Sequence, residues 1–326
     1  MERRISYAQA LNEALREEMQ RDVSVYILGE DVAQMGGLFE VTKDLLGRFG
    51  PQRVIDTPIS EAAIAGAGVG GALVGARPVI EFQFADFMTI AMDQIVNHAA
   101  KLRYMTGGQA RVPLVIRAPI CNGIGLGAQH SQSLESWFVH VPGLVVIMPS
   151  TPYAAKGLLK AAIRSDDPVV FLENRRLYST KGPAGDDDVV LPIGQAAVLR
   201  EGEDVTIVAT GRMVRVALTA SKTLSDAGID VEVIDPQTLK PLDTDTILSS
   251  VKKTGRCVVV NEGARTCGFA AEVAATVAEL AYDQLKAPIQ RVTARDVPMP
   301  VSRPLEAQVL PSEEDLLDAV KKVHKK

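Results

Sequence analysis

Cysteine is scarce in this chain, which has three in 326 residues: Cys121, Cys257 and Cys267. An odd number at wide spacings fits neither a disulfide framework nor a cysteine-based zinc site. The sequence therefore predicts a reducing compartment. We expect a cytoplasmic protein of a bacterial or archaeal cell, with the mature form of a mitochondrial matrix protein as the alternative.

Long hydrophobic runs are also missing. The most apolar stretch, Ala62–Ala76, is shorter than the roughly 20 residues that cross a bilayer, and charged residues flank it. The first segment, Met1–Met19, carries charges every few residues and lacks the apolar centre of a signal peptide. We expect no membrane association, and we expect Met1–Met19 to form an amphipathic helix.

Positive charge is not in excess, because 35 lysines and arginines face 40 acidic residues and give a net charge of −5. Nucleic acid binding requires clustered basic residues that release counterions from phosphates, so nucleic acid is not an expected partner. The apolar fraction of 47% and the charged fraction of 23% are typical of a folded protein. The length predicts two domains.

Several catalytic motifs are absent as well. The chain has no G-x-S-x-G elbow of a serine hydrolase, no Walker loop, and no H-E-x-x-H pair of a zinc hydrolase. Its four histidines, His98, His130, His140 and His324, show no paired ligand spacing.

One glycine pattern has the spacing of a dinucleotide fingerprint. Gly66, Gly68 and Gly71 satisfy G-x-G-x-x-G. That fingerprint binds a pyrophosphate only where its first glycine ends a strand, and the nearest candidate strand ends near Asp56. The pattern is more typical of a helix of small residues that permits close packing.

Short β-branched runs alternate with helical patterns, which predicts parallel sheets covered by helices on both faces. The predicted strands are Val23–Gly29, Arg77–Phe82, Val112–Ile116, Leu144–Met148, Val169–Leu172, Val205–Ala209, Asp230–Ile234, Cys257–Val260 and Ile289–Val292. The predicted helices are Phe87–Tyr104, Pro152–Arg164, Met213–Ala227, Phe269–Leu285 and Ser312–Val323.

The predicted fold class is α/β with two doubly wound domains, residues 1–185 and 195–326. A segment rich in Gly, Pro and Asp separates them between Ser179 and Gly194, with the acidic run Asp186–Asp188 inside it.

Two polar residues are candidates for chemistry, although each has a structural interpretation. His130 lies in a glycine-rich loop after a predicted strand, where α/β folds place functional groups, but a loop histidine is as often structural. Glu61 opens the apolar stretch and is either a helix cap or a partly desolvated acid in a cleft. Phe82, Phe84 and Phe87 would ordinarily be core or rim aromatics.

Taken together, these positions resemble one family, the β subunits of the E1 components of 2-oxo acid dehydrogenases, from Gly29-Glu-Asp31 to Arg303-Pro-Leu-Glu306. The motifs that carry the resemblance are Asp56-Thr-Pro-Ile-Ser-Glu61, Glu81-Phe-Gln-Phe-Ala-Asp-Phe87, Gln129-His-Ser-Gln132 and His140-Val-Pro-Gly143. The resemblance implies a transketolase-like pyrimidine-binding domain, a transketolase C-terminal domain, and an α2β2 heterotetramer with thiamine diphosphate between the α and β subunits.

The resemblance also implies roles for individual residues. Glu61 would hydrogen-bond the cofactor's aminopyrimidine as the general acid/base, and Phe87 would stack on that ring. Glu30 and the backbone at Ile59 would support the same ring. His130 would act on the substrate carbonyl and assist acyl transfer to a lipoyl group. A potassium ion would be held by the backbone carbonyls of Leu114, Ala162, Ile163, Ser165 and Asp167.

Two features qualify the match. The chain contains no Gly-Asp-Gly motif, so the resemblance implies that Mg2+ and the diphosphate are held by the α subunit. Some family members carry a polar residue where this chain has Ile90, which puts one hydrogen bond to substrate or cofactor in doubt.

The predicted function is oxidative decarboxylation of a 2-oxo acid, pyruvate or branched-chain, with acyl transfer to a lipoyl-bearing E2 acyltransferase. The enzyme would be active only with its α subunit, and acidic residues of the C-terminal domain would dock E2. The alternatives are an acetoin dehydrogenase β subunit, a free-standing transketolase-like synthase, and a scaffold that has lost its site. The sequence does not choose among the 2-oxo acids.

Overall fold

The computed structural model describes residues 3–185 and 189–325, which form two compact units. Unit 1 extends to Cys121 and includes Trp137–Ile147 and Thr151–Ile193, whereas unit 2 comprises Asn122–Ser136, Met148–Ser150 and the chain from Gly194 onward. The acidic run Asp186–Asp188 lies outside the described residues. The domain limits 1–185 and 195–326 stay a prediction.

Strands and helices alternate along the chain. The strands are β1 (Arg4–Ser6), β2 (Val25–Gly29), β3 (Val54–Asp56), β4 (Arg77–Glu81), β5 (Val115–Ile120), β6 (Val145–Ile147), β7 (Val169–Asn174), β8 (Lys181–Pro183), β9 (Ala197–Arg200), β10 (Val205–Ala209), β11 (Val231–Asp235), β12 (Thr238–Lys240), β13 (Cys257–Ala264) and β14 (Gln290–Ala294). The α-helices are α1 (Tyr7–Arg21), α2 (Leu45–Phe49), α3 (Glu61–Leu73), α4 (Leu102–Met105), α5 (Glu135–Val139), α6 (Pro152–Arg164), α7 (Arg212–Asp226), α8 (Thr244–Thr254), α9 (Phe269–Leu280), α10 (Arg303–Val309) and α11 (Glu313–His324).

Unit 1 is built on a parallel sheet in the order β6-β7-β5-β4-β2-β3. The chain leaves β2 for β3 on one side and returns to β4 on the other. β2 is therefore a topological switch point, and the crevice for a ligand is expected at the carboxyl ends of these strands.

Helices α1 and α6 pack against each other in unit 1. Ser6 and Gln9 form a capping box that starts α1, and Thr151 caps α6 with Pro152 in its first turn. Between the helices, the buried Glu18 accepts hydrogen bonds from Arg164. Of the described part of Met1–Met19, the helix begins at Tyr7, and Arg4–Ser6 forms β1 instead.

Unit 2 has its own sheet in the order β14-β13-β10-β11-β9. The first four strands are parallel and β9 is antiparallel to β11. A separate apolar core lies around α7 and α11. The α/β class with two doubly wound units is confirmed.

All nine predicted strands are present, most with ends shifted by one or two residues, although β5 begins at Val115 rather than Val112. Sequence periodicity missed four short strands, β1, β8, β9 and β12. No helix in the described residues is long and apolar enough to cross a membrane.

The prediction of one helix over Phe87–Tyr104 is wrong. The segment forms a 3-10 turn at Ala85–Thr89, a π-helix at Asp93–Ala99 and the short α4. The amide of Ala100 donates to the carbonyl of Ile95, five residues earlier. Apolar periodicity cannot distinguish this spacing from the ordinary four-residue one.

The glycine pattern is confirmed as helical, because Gly66, Gly68 and Gly71 all lie inside α3. A Cβ atom on Gly71 would come within 2.3 Å of the Tyr26 hydroxyl, and one on Gly68 would meet Ile80 at 2.8 Å. The small residues let α3 lie close to the sheet.

Asp235 at the end of β11 gives unit 2 a pH-dependent stability. The residue is 1% exposed, and burial raises its pKa to about 7 although Ser150 and the amide of Gln237 donate to it. Because the pKa of Asp235 is higher in the folded state than the unfolded value of about 4, its contribution to the free energy of unfolding is complete below pH 4. That contribution is lost as the pH rises through 7.

We therefore expect the Tm of Asp235→Asn, relative to the Tm of the parent, to be higher at about pH 8 than at about pH 5. Thermal unfolding of both proteins at the two pH values measures it. A Tm difference that is the same at both would contradict the burial effect.

Candidate functional site

The carboxyl edge of the unit 1 sheet carries the first group of predicted residues. Gly29 at the end of β2 pairs with Asp56 of β3 and Glu81 of β4. Glu30 follows β2 directly, and Glu61 is the first residue of α3, which follows β3. The topology alone therefore brings Glu30 and Glu61 to one edge at the switch point.

Glu61 is a buried acid, with 7% of its surface exposed. Its position in the first turn of α3 places its charge at the positive end of the helix dipole. Within residues 3–185 and 189–325 we find no hydrogen bond to its carboxylate, so the capping interpretation lacks support.

Glu30 is a second acid beside it. Burial raises the pKa of Glu30, and the charges of Glu61 and Asp31 raise it further. The two carboxyl groups thus interact electrostatically, which favours the protonated form of Glu30.

Aromatic rings border this edge. Phe87 lies in the 3-10 turn after β4, and its ring meets that of Phe84 edge to face at 5.4 Å between centroids. Ile59 and Ile90 are 82% and 58% exposed, respectively. An acid with apolar surface nearby is an environment suited to a planar heterocycle that needs one hydrogen bond.

Sequence reasoning missed a buried ionic cluster on the neighbouring strands β4, β5 and β7. Arg117 donates from Nε and Nη2 to Glu173 and from Nη1 to Glu81, and Tyr178 donates its hydroxyl to Glu173. Arg117 is 1% exposed and Glu173 is fully buried. Burial raises the pKa of Glu81, while Arg117 opposes this. Each of Glu81, Arg117 and Glu173 lies beside apolar residues in the sequence, and no local pattern predicts that the three side chains are in contact.

His130 belongs to unit 2 and is half-buried. Its loop turns through three glycines with positive φ, Gly123, Gly125 and Gly127. Sequence reasoning also missed Glu306 of α10, whose carboxylate accepts the amides of Gly123 at 2.7 Å and Gly125 at 2.9 Å. An acid in the first turn of a short helix gave no signal of this distant contact.

A cavity of about 400 Å³ lies beside the residues that follow His130. Its lining includes Ser131, Gln132, Glu262, Arg295 and Met299. The cavity is therefore mixed in polarity and belongs wholly to unit 2.

Metal ligation has little support from side chains. The described residues contain no group of three or more His, Cys, Asp or Glu side chains that could hold a metal ion. Two of the five carbonyls predicted to hold potassium, those of Ile163 and Ser165, accept hydrogen bonds from Arg77 at 3.1 Å and 2.9 Å. Both oxygens therefore lie next to the same guanidinium nitrogen. A carbonyl oxygen has a second lone pair, so potassium stays a prediction.

Two family models match the chain. The transketolase pyrimidine-binding domain matches residues 3–181, and the transketolase C-terminal domain matches residues 194–316.

Full-length relatives agree with these matches. The β subunit of the pyruvate dehydrogenase E1 component of Rickettsia felis is 49% identical, with 98% of each chain covered. The mitochondrial β-1 subunit of the same component from Arabidopsis thaliana is 48% identical over 96% of this chain and 87% of its own. The β subunit of acetoin:2,6-dichlorophenolindophenol oxidoreductase of Cupriavidus necator is 46% identical over 100% of this chain and 99% of its own.

Among solved structures, a split-gene transketolase described as an inactive β4 tetramer superposes with a TM-score of 0.80. It is 25% identical, and the match covers 98% of both chains.

Proposed function

The chain belongs to the transketolase-like family of 2-oxo acid dehydrogenase E1 β subunits, and from this premise we propose how its residues work. With an α subunit it carries out the oxidative decarboxylation of a 2-oxo acid and passes the acyl group to a lipoyl-bearing E2. The observation that carries the proposal is Glu61, a buried carboxylate without a hydrogen bond in the described chain, at the switch point of a parallel sheet.

The residues of unit 1 fit the aminopyrimidine of thiamine diphosphate. When bound, that cofactor supplies the reactive carbon that attacks the carbonyl of a 2-oxo acid. Glu61 would donate a hydrogen bond to the pyrimidine ring and move a proton there as general acid/base. Phe87 would hold one face of the ring, and Glu30 and the backbone at Ile59 would orient its edge.

His130 would serve the second half of the reaction. A neutral or protonated imidazole donates a hydrogen bond to an oxygen on which charge develops and moves a proton during acyl transfer to the lipoyl group.

The α subunit would hold Mg2+ and the diphosphate in an α2β2 heterotetramer. One supporting surface is the end of α3, where Leu73 and Val74 are 44% and 86% exposed. Exposed apolar residues beside a glycine-rich helix suit close packing with a partner. Acidic residues of unit 2 would dock E2, potassium would lie at the predicted carbonyls, and the complex would work in the cytoplasm.

The substrate is the least constrained part of the proposal. Relatives of nearly equal identity are named for pyruvate dehydrogenase and for acetoin oxidation. A hydrophobic pocket discriminates one methylene by only about 1–3 kcal/mol, so a few side chains suffice to change the preferred substrate. An acetoin dehydrogenase β subunit is therefore the second candidate.

Reconstitution tests the proposal. We expect the chain alone to show no Mg2+-dependent affinity for thiamine diphosphate by isothermal titration calorimetry. Together with its α subunit it should bind the cofactor and turn over one of pyruvate, 2-oxoisovalerate or acetoin. Tight binding by the isolated chain would favour a free-standing synthase instead, and turnover of none of the three by the assembled pair would contradict the assignment.

A further inference from the structure

Glu306 is a buried acid that receives its hydrogen bonds from the backbone of a distant loop. The side chain is 2% exposed, and among the described residues it forms no ion pair. Its two oxygens accept one amide each, from Gly123 and Gly125, 183 and 181 residues away. A buried carboxylate is costly without such charge-assisted hydrogen bonds, so these two contacts are strong ones.

The loop that Glu306 holds turns through three glycines in the left-handed region. Gly123, Gly125 and Gly127 have φ values of +77°, +80° and +81°, and glycine has no side chain with which to anchor such turns. The next turn ends at His130, whose amide bonds to the carbonyl of Gly127 at 3.3 Å. A displacement at Gly123 or Gly125 would therefore be transmitted to the imidazole.

The segment before Glu306 packs on the same loop. A Cβ atom on Gly127 would come within 2.7 Å of the Val301 side chain, and one on Gly125 would meet the carbonyl of Val301 at 3.3 Å. The loop thus lies directly against the start of α10. Glycine is favoured there because its φ is positive and because a side chain at Gly127 would crowd Val301.

We propose that Glu306 is a positioning residue for acyl transfer: its carboxylate clamps the amides of Gly123 and Gly125 and so sets the place of His130. This inference rests on the proposed role of His130. It assigns to Glu306 no contact with substrate or cofactor. A carboxylate is suited to the task because its two oxygens accept two amides at once, whereas a carboxamide has one acceptor oxygen.

The test uses the complex reconstituted with the α subunit and lipoylated E2, with Glu306→Ala, Glu306→Gln and His130→Ala made singly and Glu306→Ala also combined with His130→Ala. Glu306→Ala should slow acyl transfer to lipoyl by about 10- to 100-fold, the scale set by small misplacements of a catalytic group. Glu306→Gln, which retains one acceptor, should lose less. Lys222→Ala on the exposed surface of α7 is the control and should match the parent, because Lys222 is not among the acidic residues assigned to E2 docking.

Coupling to His130 separates positioning from general stability. In the His130→Ala background, Glu306→Ala should slow acyl transfer little further, because the group it positions is already gone. Proton exchange at the reactive carbon of the bound cofactor should stay at the parent rate in Glu306→Gln, since that step is assigned to Glu61. An equal loss with and without His130, or a loss of cofactor proton exchange, would overturn the proposal.

Amide hydrogen exchange of the peptide that covers residues 122–130 tests the clamp without reference to catalysis. Exchange should be faster in Glu306→Gln than in Lys222→Ala; equal exchange would overturn the clamp. If His130→Ala leaves acyl transfer unchanged, the proposed role of His130 is wrong, whereas faster loop exchange in Glu306→Gln would still identify Glu306 as the residue that holds the loop.

Discussion

Glu61→Gln in the assembled complex should lower the turnover rate about 10²- to 10⁴-fold, the range that a positioned general acid/base contributes. Glutamine has nearly the shape of glutamate, so folding and assembly should persist. It cannot exchange a proton, so hydrogen–deuterium exchange at the reactive carbon of the bound cofactor should slow in parallel. Quenched-flow mixing with deuterated water, followed by NMR of the released cofactor, measures that exchange.

An exposed glutamate of unit 1 provides the control. Glu40→Gln removes a charge from the surface, where Glu40 forms an ion pair with Lys43 at 3.2 Å, and should leave both rates unchanged. The assignment of Glu61 fails if Glu61→Gln exchanges the proton as fast as Glu40→Gln does. A slow exchange accompanied by loss of cofactor binding would indicate a binding role instead.

Arg117→Met should reduce the free energy of unfolding by about 3–5 kcal/mol, because removing one partner from a buried ionic cluster leaves uncompensated charge. Glu81 and Glu173 would then lie buried without their cation. Chemical denaturation, monitored by tryptophan fluorescence and by circular dichroism, measures the loss. If the two signals show two separate unfolding transitions, the transition that Arg117→Met shifts is assigned to unit 1, which contains Arg117.

The same substitution at a surface pair is the comparison. Arg111 is 65% exposed and bonds Asp166 at 2.7 Å, and such exposed pairs contribute about 0–1 kcal/mol. Arg117→Met should therefore cost several-fold more than Arg111→Met. Adding Glu81→Gln and Glu173→Gln should recover part of the stability, and an equal cost at positions 117 and 111 would show that the cluster is not the cause.

The alternation of short apolar strands with helices was readable from the sequence. Val205–Ala209 and Pro152–Arg164 have the predicted bounds because a continuous apolar run and a helical period bounded by Thr151-Pro152 are local signals. The helix predicted at Phe87–Tyr104 failed where the local signal is ambiguous, since a π-helix and an α-helix place apolar residues with similar spacing.

For the site, the sequence supplied the residue types and their order. Glu61 and His130 stood out because each lies in a motif with a chemical reason for its composition. The roles of Glu61, His130, Glu30, Ile59 and Phe87 came from family resemblance and stay predictions. What the structure adds is that Glu61 is buried at the switch point and interacts with Glu30.

The sequence by itself determined the α/β class, the family and the absence of a Gly-Asp-Gly motif, because all three depend on local patterns or motif order. Only the tertiary structure revealed the Arg117 cluster and the bonds from Gly123 and Gly125 to Glu306. The hydrogen bonds made by Arg117 and by Glu306 join residues between 36 and 183 positions apart. Chain folding creates such proximity, and no periodicity or spacing along the sequence encodes it.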